Sequence, residues 1–162
     1  MSIGRAGTPG HGPRDPLHAP FRPRLARAVS LSFAVAVVVL TLVLAIALPT
    51  EGSGAFALPD RLGIALVGVA IVVFLWRQAS VVALPDVEGL TVRNLVFTRR
   101  LAWAEIISVR FGSGRPWVQL DLADGDTLAV MGVQESDGAR AVEESRRLAT
   151  LVALHTPVER DS

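Results

Sequence analysis

Two uncharged apolar runs stand close together in the first half of this 162-residue chain, and they constrain everything that follows. Residues 28–48 make an unbroken stretch of 21, and residues 62–76 add 15 more. About 18 or more such residues read as a membrane span, because a helix rising about 1.5 Å per residue needs roughly 20 to cross the hydrocarbon. The first run holds 13 Val, Leu, Ile and Phe residues. At roughly −0.3 to −0.6 kcal/mol each, these favour insertion by about −4 to −8 kcal/mol. Ser30, Ser32 and Thr41 can bond back to their own helix, and Pro49 and Gly52 stop it. The second run spans only about 22 Å by itself. It lengthens if Arg61 and Arg77 snorkel their charges to the two interfaces, with Trp76 as an aromatic anchor at one edge and Arg27 anchoring the first run. Its apolar side chains lie on all sides, which favours a span over a buried helix of a soluble domain.

The expected order is an arm at 1–27, a transmembrane helix at 28–48, a short extracytoplasmic loop at 49–61 and a second transmembrane helix at 62–77. A folded domain at 79–155 and a tail at 156–162 follow. The Gly-, Pro- and Arg-rich stretch from Met1 to Pro23 has few side chains to bury and is expected to be disordered. Arg5, Arg14, Arg22, Arg24 and Arg27 precede the first run against the single acid Asp15, and the loop holds only Arg61 beside Glu51 and Asp60. The positive-inside rule then places both termini in the cytoplasm and the protein in the cytoplasmic membrane as a multi-pass chain. The rival is signal-peptide cleavage at Ala55-Phe56-Ala57, whose small-x-small pattern fits. The first run is longer than the usual signal core of about 7–15 residues.

All 16 basic residues are Arg, and there is no Cys, which removes disulfides and thiolate metal sites. Residues 78–162 hold nine Arg against twelve acids, so the basic excess lies in the arm. A membrane surface, rather than nucleic acid, is the natural partner of that arrangement.

After Gln78 the pattern changes to short alternating runs. Leu90, Val92 and Asn94 form one row; Ile107, Val109 and Phe111 another; Val118, Leu120 and Leu122 a third; Leu128 and Val130 a fourth. This period of two marks half-buried antiparallel strands, and Pro85–Gly89, Gly112-Ser113-Gly114 and Asp124-Gly125 separate them as turns. The period then becomes helical. Asp137 is expected to cap a helix whose inward stripe is Val142, Ser145, Leu148, Ala149 and Val152. Arg140, Glu143, Glu144 and Arg147 form its outer face, with Glu143 and Arg147 as an i,i+4 pair. The fold class is a two-helix transmembrane hairpin followed by a small α+β, mainly β, domain: a bent antiparallel sheet or barrel closed by a C-terminal amphipathic helix.

Gly89-Leu90-Thr91-Val92-Arg93-Asn94 followed by Arg100-Leu101-Ala102-Trp103-Ala104-Glu105-Ile106 resembles the G-L-x-V-R-N strand and W-x-E-I step of bacterial pleckstrin-homology (PH) domains. Val109-Arg110-Phe111, Pro116-Trp117, Val130-Met131 and the helix start at 137–142 are similar to the actinobacterial low molecular weight protein antigen 6 PH-domain family. The resemblance covers about residues 79–155. It implies a PH-like barrel without established enzymatic activity. The strand count, about six, is one below the seven of the full PH fold.

No catalytic, cofactor or metal constellation emerges. His11 and His18 read as tail histidines and His155 as a helix-end residue. Gly112-Ser113-Gly114 lacks the spacing of a nucleophile elbow or phosphate loop. Asp121, Asp124 and Asp126 lack the glutamate of a calcium loop. Trp103 reads as a core plug. The candidate partner or lipid contacts are Arg93, Arg99, Arg100, Arg110, Arg115 and Trp117. The competing reading of these arginines is a solvated face paired with Glu88, Glu105 and their neighbours. The expected function is a membrane-anchored, non-enzymatic interaction module binding a protein or peptide. Anionic-lipid or small-ligand binding through the arginine-bearing first hairpin is the alternative. The expected partners are the bilayer, an unidentified protein and a second copy of the chain, with no cofactor.

Overall fold

The computed structural model describes residues 16–49, 57–112 and 114–155. Two long helices come first, α1 at Arg24–Ala47 and α2 at Leu58–Ala79. α1 therefore begins four residues before the apolar run. α2 begins at Leu58 rather than at Leu62, with Pro59 in its first turn and the Asp60 carboxylate accepting the Ala57 N–H at 3.0 Å. At 1.5 Å per residue α2 is about 33 Å long, so the shortfall of the 15-residue run disappears once the flanking turns are helical. The helices pack side by side. A Cβ placed on Gly68 would sit 2.5 Å from Thr41 Oγ1, so the close approach depends on that glycine. Arg61 donates to the carbonyls of Leu48 and Ala45 and so closes the C-terminal end of α1. Both helices are long and apolar enough to cross a membrane, and their apolar side chains are mostly uncovered. Ala55 and Phe56 of the cleavage pattern lie outside the described residues.

The domain contains β1 (Val82–Pro85), β2 (Gly89–Arg93), β3 (Thr98–Ala102), β4 (Ile106–Arg110), β5 (Trp117–Leu122) and β6 (Thr127–Gln134), followed by α3 (Ala139–His155). These are the six strands of the described residues, arranged as two antiparallel sheets ordered β1-β2-β3 and β4-β5-β6. Leu90, Val92, Leu101, Ile106, Val118, Leu120, Leu122, Leu128 and Val130 fill the space between the sheets, and α3 closes it with Leu148, Leu151 and Val152. Asn94, at the end of the β2 row, is buried and paired through both its amide nitrogen and its amide oxygen. Its amide donates to the Ala129 carbonyl at 2.8 Å and its carbonyl accepts the Met131 N–H at 3.2 Å, tying the first sheet to β6.

Three expectations change. Ile107, in the apolar row by alternation, is 67% exposed. Ile106 pairs with Leu122 and Ser108 with Asp121, so Ile107 is the extra residue of a β-bulge that shifts the inward row to Ile106 and Val109. The helix stripe is rotated: Ala141, Ser145, Leu148, Leu151 and Val152 face inward, while Val142 is 40% exposed and Ala149 is also outside. The ion pairs follow that rotation, since Glu144 is held by Arg140 and Arg147 and the Glu143–Arg147 pair does not form. Asp137 lies in a 3-10 turn, Glu135–Asp137, and does not cap α3.

The arm shows the largest departure from expectation. Residues 16–23, expected to be disordered, are part of the domain. Pro16–His18 form a 3-10 turn, and Phe21 makes an antiparallel bridge to Ala83 of β1 with N–H to carbonyl distances of 2.8 and 3.0 Å. The Phe21 side chain is 0% exposed within the core. Gly132 of β6 gives the arm its room, because a Cβ there would come 2.8 Å from the Phe21 carbonyl oxygen and 3.0 Å from the Ala83 nitrogen.

Candidate functional site

At the junction between the helix pair and the domain, charged side chains bind the backbone of the opposite part. The first free amides of α1, Arg24 and Leu25, donate to the two carboxylate oxygens of Asp137, each at 2.9 Å. A negative charge at a helix N-terminus satisfies orphan donors and the positive end of the helix dipole. Here it comes from the domain, 113 residues away in sequence. At the neighbouring end of α2, Arg77 donates to the carbonyls of Leu95 and Val96 at 3.0 and 3.3 Å, in the turn joining β2 to β3. Arg147 of α3 completes the fastening. Its Nη1 is shared among the carbonyls of Pro16, Leu17 and Ala19 at 2.9–3.1 Å, and its guanidinium carbon lies 3.8 Å from the centre of the Phe21 ring. Its other nitrogens bind Glu144.

The sequence-predicted arginines divide into two groups. Arg99 binds Asp124 at 3.0 Å and Asp126 at 3.8 Å. Arg100 binds Glu88 at 2.7 Å and Asp86 at 3.4 Å, and Arg110 binds Asp121. Glu105, the other acid expected to pair, instead accepts the Ala102 N–H. Arg115 is half-buried, with its N–H on the Gly112 carbonyl, and Trp117 is half-buried on β5. Neither joins the hairpin group. Arg93 points elsewhere. With Arg22 and Arg27 it lines a recess of about 170 Å³ whose other walls are Leu31, Trp76 and the 79–82 segment. No acid lines the recess, and none of its three arginines has an ion pair among the described residues. Of the four residues expected at membrane edges, Arg27 and Trp76 thus share this recess, Arg77 holds the β2–β3 turn, and Arg61 sits at the opposite end of the helix pair.

The other flagged groups have packing roles. Trp103 is buried, donates Nε1–H to the Asp86 carbonyl at 3.0 Å and stacks on His155 at 4.8 Å between ring centroids. His18 meets His155 edge-on at 6.1 Å. No cluster of three metal-ligating side chains occurs among the described residues. Among the described residues, two carboxylates are displaced from their ordinary value of 3.8. Asp121 is lowered by the Ser108 hydroxyl that donates to it and then by Arg110 and Arg115. Asp124 is lowered by the Asp126 N–H and then by Arg99. A depressed folded-state value means that the charged form favours folding. The contribution is complete above about pH 4 and fades as pH falls through the lower folded-state values. Urea midpoints between pH 6 and pH 2 should therefore fall with acid, and Ser108→Ala should flatten that fall; an unchanged slope in Ser108→Ala would contradict the assignment.

Sequence reasoning missed Phe21, Arg147 and the true target of Asp137. The signal for Phe21 was present: Leu17 and Phe21 are large apolar side chains in an arm otherwise rich in Pro, Gly and Arg.

Residues 81–150 match the family model described as Bacterial PH domain. Uncharacterized proteins of Mycobacterium bovis and Mycobacterium tuberculosis are 36% identical to this chain over 96 residues, which is 59% of this chain and 59% of each relative. The chain is thus matched to less than two thirds of the length of those relatives. No solved structure matches it. With the two three-stranded sheets and the closing helix described above, the C-terminal part of this chain is a PH-like domain, similar over residues 81–150 to the bacterial PH domain family.

Proposed function

We propose that this chain is a membrane-tethered, non-catalytic PH module that presents a protein- or peptide-binding surface at the cytoplasmic face of the membrane. The observation that carries the reading is the fastening of the domain to the ends of two apolar helices. The Asp137 cap on α1, the Arg77 contacts from α2 and the Phe21 bridge hold it at three points. A swinging tether would need none of these; a domain that must face its partner from a set orientation does.

The surface best suited to a peptide lies where the end of β4 meets α3. A groove of about 690 Å³ there is lined by Phe111, Gly112, Glu135, Val142, Ser145 and Arg146, among others, and offers apolar side chains together with both charges. β4 is an edge strand of its sheet, so an extended peptide has backbone groups to pair with. A photo-crosslinking residue in place of Val142, irradiated in intact membranes, should give one discrete adduct. Arg146→Glu should abolish it, while Arg99→Gln on the first sheet should leave it. An adduct pattern that both changes leave intact would reject the groove as the docking surface.

A further inference from the structure

We infer that the recess between the two helix ends and β1 binds the phosphate of an anionic membrane lipid, a reading that rests on α1 and α2 spanning the bilayer. Arg22 comes from the arm, Arg27 from the first turns of α1 and Arg93 from the end of β2, so three separate segments converge on one cavity of about 170 Å³. Arg22, Arg27 and Arg93 are exposed, so an anion entering the recess meets three open guanidinium groups, and guanidinium is the group whose planar donor fork best matches phosphate oxygens. Arg99, Arg100 and Arg110 serve as an internal contrast, since each is already neutralised by an aspartate or glutamate.

The position selects the source of the phosphate. The recess opens beside Trp76, which is 67% exposed and lies one helical turn from the end of α2, and its far wall is the first two turns of α1. With both helices in the bilayer, that level is the headgroup layer, where tryptophan is favoured and acidic lipid is concentrated. A lipid phosphate reaches the arginines from the side while its acyl chains lie along the uncovered faces of α1 and α2. This site differs from the paired arginines of the first hairpin. Lipid held there would bridge arm, helix and sheet and lock the domain at its fastened angle.

The test is native mass spectrometry of the full chain released from mild detergent, titrated with phosphatidylglycerol, with phosphatidylcholine, or with phosphatidylglycerol plus millimolar inorganic phosphate. One phosphatidylglycerol per chain should be retained, phosphatidylcholine should bind at least tenfold more weakly, and inorganic phosphate should not displace the lipid. Each of Arg22→Gln, Arg27→Gln and Arg93→Gln should weaken retention about fivefold, and the triple variant on the order of 100-fold, following roughly 1 kcal/mol per arginine. The control Arg99→Gln/Arg100→Gln, which also removes positive charge, should match the wild type. Equal retention by the wild type and the triple variant overturns the site, and displacement by inorganic phosphate overturns its assignment to lipid. Alkaline extraction of the same membranes keeps the two readings apart. A chain that resists extraction but shows no arginine-dependent retention loses the recess alone, whereas a chain released into the wash loses the spans as well.

Discussion

Phe21→Ala should destabilise the PH-like domain by about 3–5 kcal/mol, the range for truncating a buried phenylalanine. The ring is wholly enclosed, lies in the main core cluster and carries the Arg147 guanidinium on its face. Truncation leaves a cavity beneath the Arg147 guanidinium that the arm cannot fill by moving, because its backbone is pinned by the bridge to Ala83. Urea unfolding of the full chain in micelles, followed by tryptophan fluorescence, measures the loss. Leu17→Ala, at a position only partly buried, should cost far less. A change below about 1 kcal/mol for Phe21→Ala would mean that the arm is not part of the core. Without Phe21 in the core, residues 79–162 alone should be much less stable than a chain that starts at Pro16.

Arg147→Met should cost about 2–4 kcal/mol. The substitution keeps the aliphatic stem but removes charge-assisted donors to three carbonyls and to Glu144, and hydrogen bonds to charged groups contribute about 1.5–3 kcal/mol each before partial replacement by water. Hydrogen exchange locates the effect. Amides of the arm should exchange faster in Arg147→Met, while those of β5, remote from the latch, should change only with global stability. Because guanidinium and ring touch, the double variant with Phe21→Ala should fall short of additivity by about 0.5–3 kcal/mol. Full additivity would show that the cation–ring contact has no energetic content.

What the sequence disclosed follows from where the physics is local. Alternation along β2, β5 and β6 put Leu90, Val92, Asn94, Val118, Leu120, Leu122, Leu128 and Val130 inward, and there they are. Alternation failed on β4 because a single inserted residue, Ile107, changes the phase, and nothing in a period-two pattern marks a bulge. The α3 stripe was misplaced by rotation because Ala141 and Ala149 are equally small and apolar, so the sequence could not tell which one packs. The arm was misread for a different reason. Composition asks whether a segment can bury enough of its own surface, whereas Phe21 completes a core built by residues 60 and more positions away. Asp137 shows the same limit, since its position before a helix suggested a local cap and its partners are the first amides of α1. The arginines were named by residue type. Their division into neutralised and open groups became visible only with Asp86, Glu88, Asp121, Asp124 and Asp126 in place.

The proposal that α1 and α2 cross the bilayer and hold the PH-like domain at its cytoplasmic face is tested most directly by the sidedness of single thiols. The chain has no cysteine, so single introduced thiols report topology without background. Ser53→Cys, between the helices, and Ser136→Cys, in the domain, should be labelled oppositely by a membrane-impermeant maleimide in intact cells. The first should react at once and the second only after lysis. Labelling of both before lysis, or of neither, would contradict the account.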